Sequence, residues 1–156
     1  MQAILKAWPS RVYFAIRIFF TLLLATSAIG KLANMPGFYQ VVDTYQVFPK
    51  AFIPFSSWGL VMIELGLALA LLAGNFLKTL AAMVFLLHCL YFAWLAIALQ
   101  RGLDIPNCGC FGVYWARPLT IYTLLEDGFL MLMSWALWQA KHLRSVELQI
   151  RPNVSP

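Results

Sequence analysis

Residues 52–73, FIPFSSWGLVMIELGLALALLA, and residues 76–99, FLKTLAAMVFLLHCLYFAWLAIAL, are two apolar runs separated only by Gly74-Asn75. A membrane-crossing helix needs about 20 predominantly apolar residues. Each run meets that length, with Glu64 near the middle of the first and His88 near the middle of the second. Gly74-Asn75 reads as a helix stop and turn, and so short a connection predicts two antiparallel neighbours.

Working outward, residues 12–30 form another apolar run interrupted only by Arg17, and residues 119–139 form a fourth that carries Glu126 and Asp127. The expected fold is therefore all-α: a single membrane domain over 1–156, a four-transmembrane-helix bundle with loops at 31–51 and 100–118. The chain of 156 residues is 62% hydrophobic and 11% charged, far more apolar than the roughly 45–50% of a soluble domain. Four spans consume nearly the whole chain, so water-facing chemistry falls to the loops. The segment 31–51, with Pro36, Gly37, Tyr45 and Pro49, is apolar and aromatic enough to lie on the bundle or in the interface. Trp8, Tyr13, Trp58, Tyr114, Trp115, Tyr122 and Trp138 fall near expected span ends, as interfacial anchors do.

The formal net charge of +5 does not point to nucleic acid, because the 11 Lys and Arg residues are scattered. Their distribution orients the chain. With the amino terminus inside, Lys6, Arg11, Lys78, Lys141, Arg144 and Arg151 face the cytoplasm, against Lys31, Lys50, Arg101 and Arg117 outside. Both termini are expected to be cytoplasmic, and the 100–118 loop to face the periplasm of a bacterial inner membrane. Lys6, Arg11 and the small residues Ala25-Thr26-Ser27-Ala28 imitate a secretory signal, but the run is long enough to span and is read as a retained helix. The tail from Lys141 is expected to fray after a turn or two.

The loop contains Asn107-Cys108-Gly109-Cys110-Phe111-Gly112. Gly109 lets the backbone fold tightly enough for Cys108 and Cys110 to meet. A crosslink this short closes almost no loop in the unfolded chain and contributes little as a staple. Thiol–disulfide exchange is the better use, with Arg101 or Arg117 lowering a thiol pKa; an inert local turn is the plainer alternative. A metal site would need more donors than the pair supplies, so none is expected. Cys89, about 15 Å into its span, reads as a small hydrophobe.

Charges at membrane depth are costly and point to function. At about 1.5 Å per residue, Arg17 and Glu64 come to nearly one level, which predicts that they pair. His88 reaches a similar level, so the three read either as a polar clasp or as part of a proton path or quinone site. Glu126 and Asp127 lie nearer the cysteines and point about 100° apart, so one at most faces the bundle centre.

The ordered set Arg17, Gly30-Lys31-Leu32, Tyr45-Gln46-Val47-Phe48-Pro49, Glu64-Leu65-Gly66-Leu67 and Cys108-Gly109-Cys110-Phe111-Gly112 resembles the methylamine utilisation MauE family and the wider DoxX-like group. The likeness spans about Arg17 to Asp127. It implies a bundle similar to that of vitamin K epoxide reductase relatives, forming or rearranging disulfides in a partner redox enzyme during its maturation. Those relatives use two thiol pairs; this chain has one pair and Cys89. The resemblance therefore implies half of a relay, completed by a periplasmic or membrane redox protein. Two other roles fit the same likeness: an accessory or anchoring subunit of an electron-transfer complex, and a quinone-linked subunit oxidising a sulfur compound.

Overall fold

The structure, a computed structural model, describes residues 10–74 and 76–150. Lys6, Trp8, Asn75 and Arg151 lie outside the described residues, as do the side chains of Arg11, Lys141 and Arg144. In chain order the elements are α1 (Ser10–Leu32), α2 (Met35–Thr44), a 3-10 turn (Lys50–Phe52), α3 (Ile53–Ala73), α4 (Leu77–Gln100) and α5 (Ile121–Ile150). No strand occurs among the described residues. Val12–Leu32, Lys50–Ala73 and Leu77–Gln100 are long and apolar enough to cross a membrane. The all-α membrane reading holds, and α5 runs through Lys141 to Ile150.

The segment 31–51 contains a helix. Asn34 caps α2 by accepting the Gly37 N–H at 2.9 Å, and Pro36 sits in the first turn, where its missing N–H costs nothing. Met35, Phe38 and Val41 are buried, and Tyr45 continues the same stripe. This helical spacing turns one face of α2 onto the bundle and leaves the other outside.

Across the Gly74 turn α3 and α4 touch as the expected neighbours, but α3 packs chiefly on α1, and α4 on α5. Gly74 closes α3 in a left-handed conformation, φ 83°, with its N–H bonded to Ala70 O at 3.1 Å. Arg17 settles on that end. Its Nε donates to Leu71 O at 2.7 Å and its Nη2 to Leu72 O at 2.8 Å, satisfying terminal carbonyls that the helix leaves free.

Arg17 and Glu64 therefore do not pair. Helical side chains lean toward the amino terminus of their own helix. On α1 that lean carries Arg17 toward the carboxyl end of α3, whereas Glu64 on antiparallel α3 leans toward the cysteine loop. The same rule brings Lys31, leaning down α1, onto Glu64.

Two apolar clusters fill the bundle. One, at the Gly74 end, is built on Phe20, Leu24, Leu71, Val84 and Leu137; the other, at the loop end, on Phe38, Val61, Leu95, Ile105 and Cys108. The buried polar side chains Ser27, Lys31, Ser57, Glu64 and His88 accompany them. Leu22, Ile29, Met62, Leu69, Leu86 and Leu90 point outward, an arrangement suited to hydrocarbon rather than water.

Candidate thiol site

The 101–120 loop is pinned at its neck by two backbone bonds, Cys108 N–H to Arg117 O at 2.8 Å and Leu119 N–H to Ile105 O at 2.9 Å. Ile105 is buried and anchors the descending strand of the loop. At its tip, the Gly109 N–H donates to Asn107 Oδ1 at 2.9 Å, an Asx turn. Gly109 has φ 75°, and a Cβ there would press on Val41 of α2 at 2.8 Å. Behind the tip, the loop backbone lies directly on α1: a Cβ on Gly30 would overlap the Phe111 carbonyl, and one on Gly112 the Gly30 carbonyl. The glycines of this motif thus seat the loop between α1 and α2.

Both cysteine carbonyls are held by side chains. Tyr45 Oη donates to Cys108 O at 2.8 Å, and Ser27 Oγ to Cys110 O at 2.6 Å. Burial, aided by the nearby thiols, raises the Tyr45 phenol above its usual range, which keeps it a donor. Arg101, one of the two residues expected to act on the thiols, instead donates to Tyr45 O at 3.1 Å.

The two cysteines are free thiols with their sulfurs 2.8 Å apart. Cys108 is buried, while Cys110 is exposed, and both line a cavity of the bundle. Their chemistry is unequal. The hydrogen bond from Cys110 lowers the Cys108 thiol to about 6, against the opposing effect of burial, and the Cys110 N–H and Arg117 charge assist. Holding that proton for Cys108 raises the Cys110 thiol. The pair therefore releases its first proton readily and its second with difficulty.

Beneath the loop, Lys31 Nζ bonds Glu64 Oε1 at 2.5 Å and Ser27 Oγ at 2.8 Å. Tyr91 Oη donates to the same Glu64 oxygen at 2.5 Å. Exposures of 2% for Lys31 and 1% for Glu64 make this a fully buried ion pair. His88, expected in a clasp with Arg17 and Glu64, takes no part in the pair: its Nδ1 donates to Val84 O at 2.8 Å, and its ring meets Phe20 edge-on. Glu126 is exposed and pairs with Arg117, Nη2 to Oε2 2.7 Å, while Asp127 is half-buried; both acids line the cavity. Cys89 lies half-buried on α4, away from the pair. Among the described residues no group of three or more His, Cys, Asp or Glu could hold a metal ion.

Charge depth alone missed Lys31, Ser27 and Tyr91. A lysine at a span end reads as an interfacial anchor, and only the folding of α2 and the loop over that end buries it. The cavity, of about 380 Å³, is lined by Lys31, Glu64, Tyr91, Asp127 and both cysteines among others.

Residues 9–139 match the family described as methylamine utilisation protein MauE. The methylamine utilization protein MauE of Paracoccus denitrificans is 29% identical over 126 residues, 81% of this chain and 68% of that protein. Its counterpart in Methylophilus methylotrophus is 36% identical, over 65% of this chain and 53% of its own length. Protein TlpB of Flavobacterium psychrophilum is 32% identical over 69% of this chain, which spans only 31% of TlpB. No solved structure matches. With a family match that runs from the start of α1 into α5, the chain belongs to the MauE family.

Proposed function

We propose that this chain is a four-span inner-membrane thiol–disulfide exchanger, with its cysteine loop facing the periplasm and both termini in the cytoplasm. The outward stripe of Leu125, Phe129 and Leu132 on α5 supports a fourth lipid-facing helix. The observation that carries the reading is the pair itself: two sulfurs 2.8 Å apart, one sheltered and acidic, the other open to a partner.

In the oxidised form a substrate thiolate attacks the accessible Cys110 Sγ. The Cys108–Cys110 bond breaks, its electron pair leaves on Cys108, and a mixed disulfide forms at Cys110. Cys108 is the better leaving group because the thiol of lower pKa leaves faster. A second substrate thiolate then attacks the substrate sulfur of that mixed disulfide, and Cys110 leaves and takes up a proton. The substrate loses two electrons and gains a disulfide; the pair gains both electrons. The clamped carbonyls of Cys108 and Cys110 keep the two sulfurs in register throughout. The substrate is a redox protein of the methylamine-utilisation machinery for which the family is named.

Equilibration with a glutathione couple, followed by alkylation and mass spectrometry, tests this. The wild-type pair is expected to interconvert between dithiol and disulfide, and Cys108→Ser to accumulate a glutathione adduct on Cys110. A pair that stays as two thiols in oxidised glutathione, or an adduct formed preferentially on Cys108 in the wild type, would overturn it. A purely accessory role has its own support in Tyr114 and Trp115, 70% and 69% exposed within the thiol loop and available to a partner. Partner maturation that survives loss of both cysteines would favour that reading.

A further inference from the structure

Cys110 is the weaker leaving group of the pair, because its thiol is raised while that of Cys108 is lowered. It departs from a mixed disulfide readily only if a proton arrives with the electron pair. The walls of the cavity it lines are mostly apolar, so few side chains can handle that proton, and most of those are already committed. Lys31 and Tyr91 are both bonded to Glu64, and Arg117 is paired with Glu126. Tyr45 is bonded to Cys108 O and His88 to Val84 O.

Asp127 is the exception. Among the described residues, the buried side-chain oxygens without a hydrogen-bond partner are Ser57 Oγ, Glu64 Oε2 and Asp127 Oδ2. Ser57 is a hydroxyl, and the Glu64 carboxylate is already matched by Lys31. Asp127 lines the same cavity as both sulfurs, and its charge is felt at Cys110, where it adds to the raised thiol. The neck of the loop explains the placement. The bond from Leu119 N–H to Ile105 O starts α5 beside the cysteines, and Asp127 follows Ile121, the first residue of α5, by about 9 Å of helix rise.

We propose that Asp127 is the proton carrier of the cysteine pair, giving a proton to Cys110 Sγ when a mixed disulfide is resolved and taking it back when Cys110 attacks. This inference deepens, and rests on, the thiol-exchange reading above. In the forward direction the second substrate thiolate attacks the substrate sulfur and the S–S bond to Cys110 breaks. Its electron pair goes to Cys110 Sγ together with the Asp127 carboxyl proton, leaving a thiol and a carboxylate. In reverse, the Asp127 carboxylate accepts the Cys110 proton and the sulfur attacks a partner disulfide, releasing one partner thiolate. The Cys108 thiolate then attacks Cys110 Sγ, closes the pair and releases the second. Loss of the Cys110 proton to bulk water would leave both thiolates and the Asp127 carboxylate charged together between apolar walls. Transfer to Asp127 removes one charge as it creates another.

The test uses full-length protein in nanodiscs, reduced, freed of reductant and mixed with oxidised glutathione; loss of the dithiol is followed by acid quenching, alkylation and mass spectrometry. A charge and a proton carrier predict opposite signs. As a charge alone, Asp127 raises the Cys110 thiol, so Asp127→Asn would enlarge the thiolate fraction and speed the reaction. As a proton carrier, its loss slows the reaction roughly tenfold or more, while Asp127→Glu, which keeps a carboxyl group, retains most of the rate. Thiolate absorbance is expected to show the Cys110 titration moving downward in the same Asp127→Asn protein that reacts more slowly, a combination that loosened packing does not produce. An Asp127→Asn rate equal to or above wild type overturns the proposal, as does an equal loss in Asp127→Glu. If the wild-type pair reacts with oxidised glutathione and Asp127→Asn reacts as fast, this inference alone falls. A wild-type pair that does not react at all brings down the exchange reading and this inference with it.

Discussion

Two carboxylate–cation pairs sit near the ends of the thiol loop, and they are opposites. Lys31–Glu64 is 2% and 1% exposed, shared with Ser27 and Tyr91, and lies beneath the cysteines. Arg117–Glu126 is 45% and 55% exposed and lies beside them. Both are close contacts between full charges, yet only the first has had its water removed. A buried pair loses several kcal/mol of hydration per ion, to order of magnitude about balanced by mutual attraction, so it is sensitive to the loss of one member. An exposed pair is screened and contributes about 0–1 kcal/mol. The difference teaches that proximity is a poor guide to consequence in this molecule and that burial decides it.

The comparison breaks most visibly if one buried member is removed. Glu64→Ala strands the Lys31 ammonium and is expected to destabilise the fold by about 3–5 kcal/mol, read as a lowered unfolding midpoint in detergent. The double variant Lys31→Met with Glu64→Leu should recover most of that loss, since apolar replacement of a buried pair is often near neutral. A double variant as unstable as the single one would show that the charges themselves hold the bundle. Arg17 is an intermediate case, charged but bonded to backbone carbonyls. Arg17→Leu should cost about 1.5–3 kcal/mol, the worth of hydrogen bonds to a charged group, and a thermal scan beside Glu64→Ala would rank the two.

At the exposed pair, Arg117→Gln should change stability by less than about 1 kcal/mol while altering the thiol titration. The Cys108 thiol, at about 6 against its ordinary 9.0, is held low first by the Cys110 hydrogen bond and then in part by Arg117. Between those values the folded reduced protein binds fewer protons than the unfolded chain, so its stability rises with pH across the window. That contribution is lost as pH falls through about 6. The pH profile of thiolate absorbance in the reduced protein should show a first midpoint near 6, that of Cys108, which moves upward in Arg117→Gln. An unmoved midpoint would leave the Cys110 hydrogen bond as the whole cause.

Three spans were legible because length and apolarity alone dictate them, and the 101–120 segment was legible as a loop because it is polar and rich in turn residues. Phe38, Val41 and Tyr45, with Asn34 and Pro36 ahead of them, carried the signature of α2, but their apolar character also suited an interfacial strand of chain. The Arg17–Glu64 expectation failed on direction rather than height. Depth along a helix can be counted from sequence, whereas side-chain lean matters only once the antiparallel partner is known. Lys31 was hidden for a related reason, since its burial depends on Gly30 admitting the Phe111 backbone from a loop 80 residues away.

That last contact bears on biogenesis. Where Gly30 and Gly112 meet, backbone touches backbone with no side chain between them. Pairings between residues so distant in sequence form late, because the intervening chain must first be ordered. During synthesis the first helix enters the bilayer long before the loop exists, so Lys31 begins as an ordinary surface lysine. The Cys108–Cys110 pair acquires its seat only when the later helices arrive and the loop closes onto α1. Before that closure the chain lacks the backbone contact that holds the cysteine loop against α1.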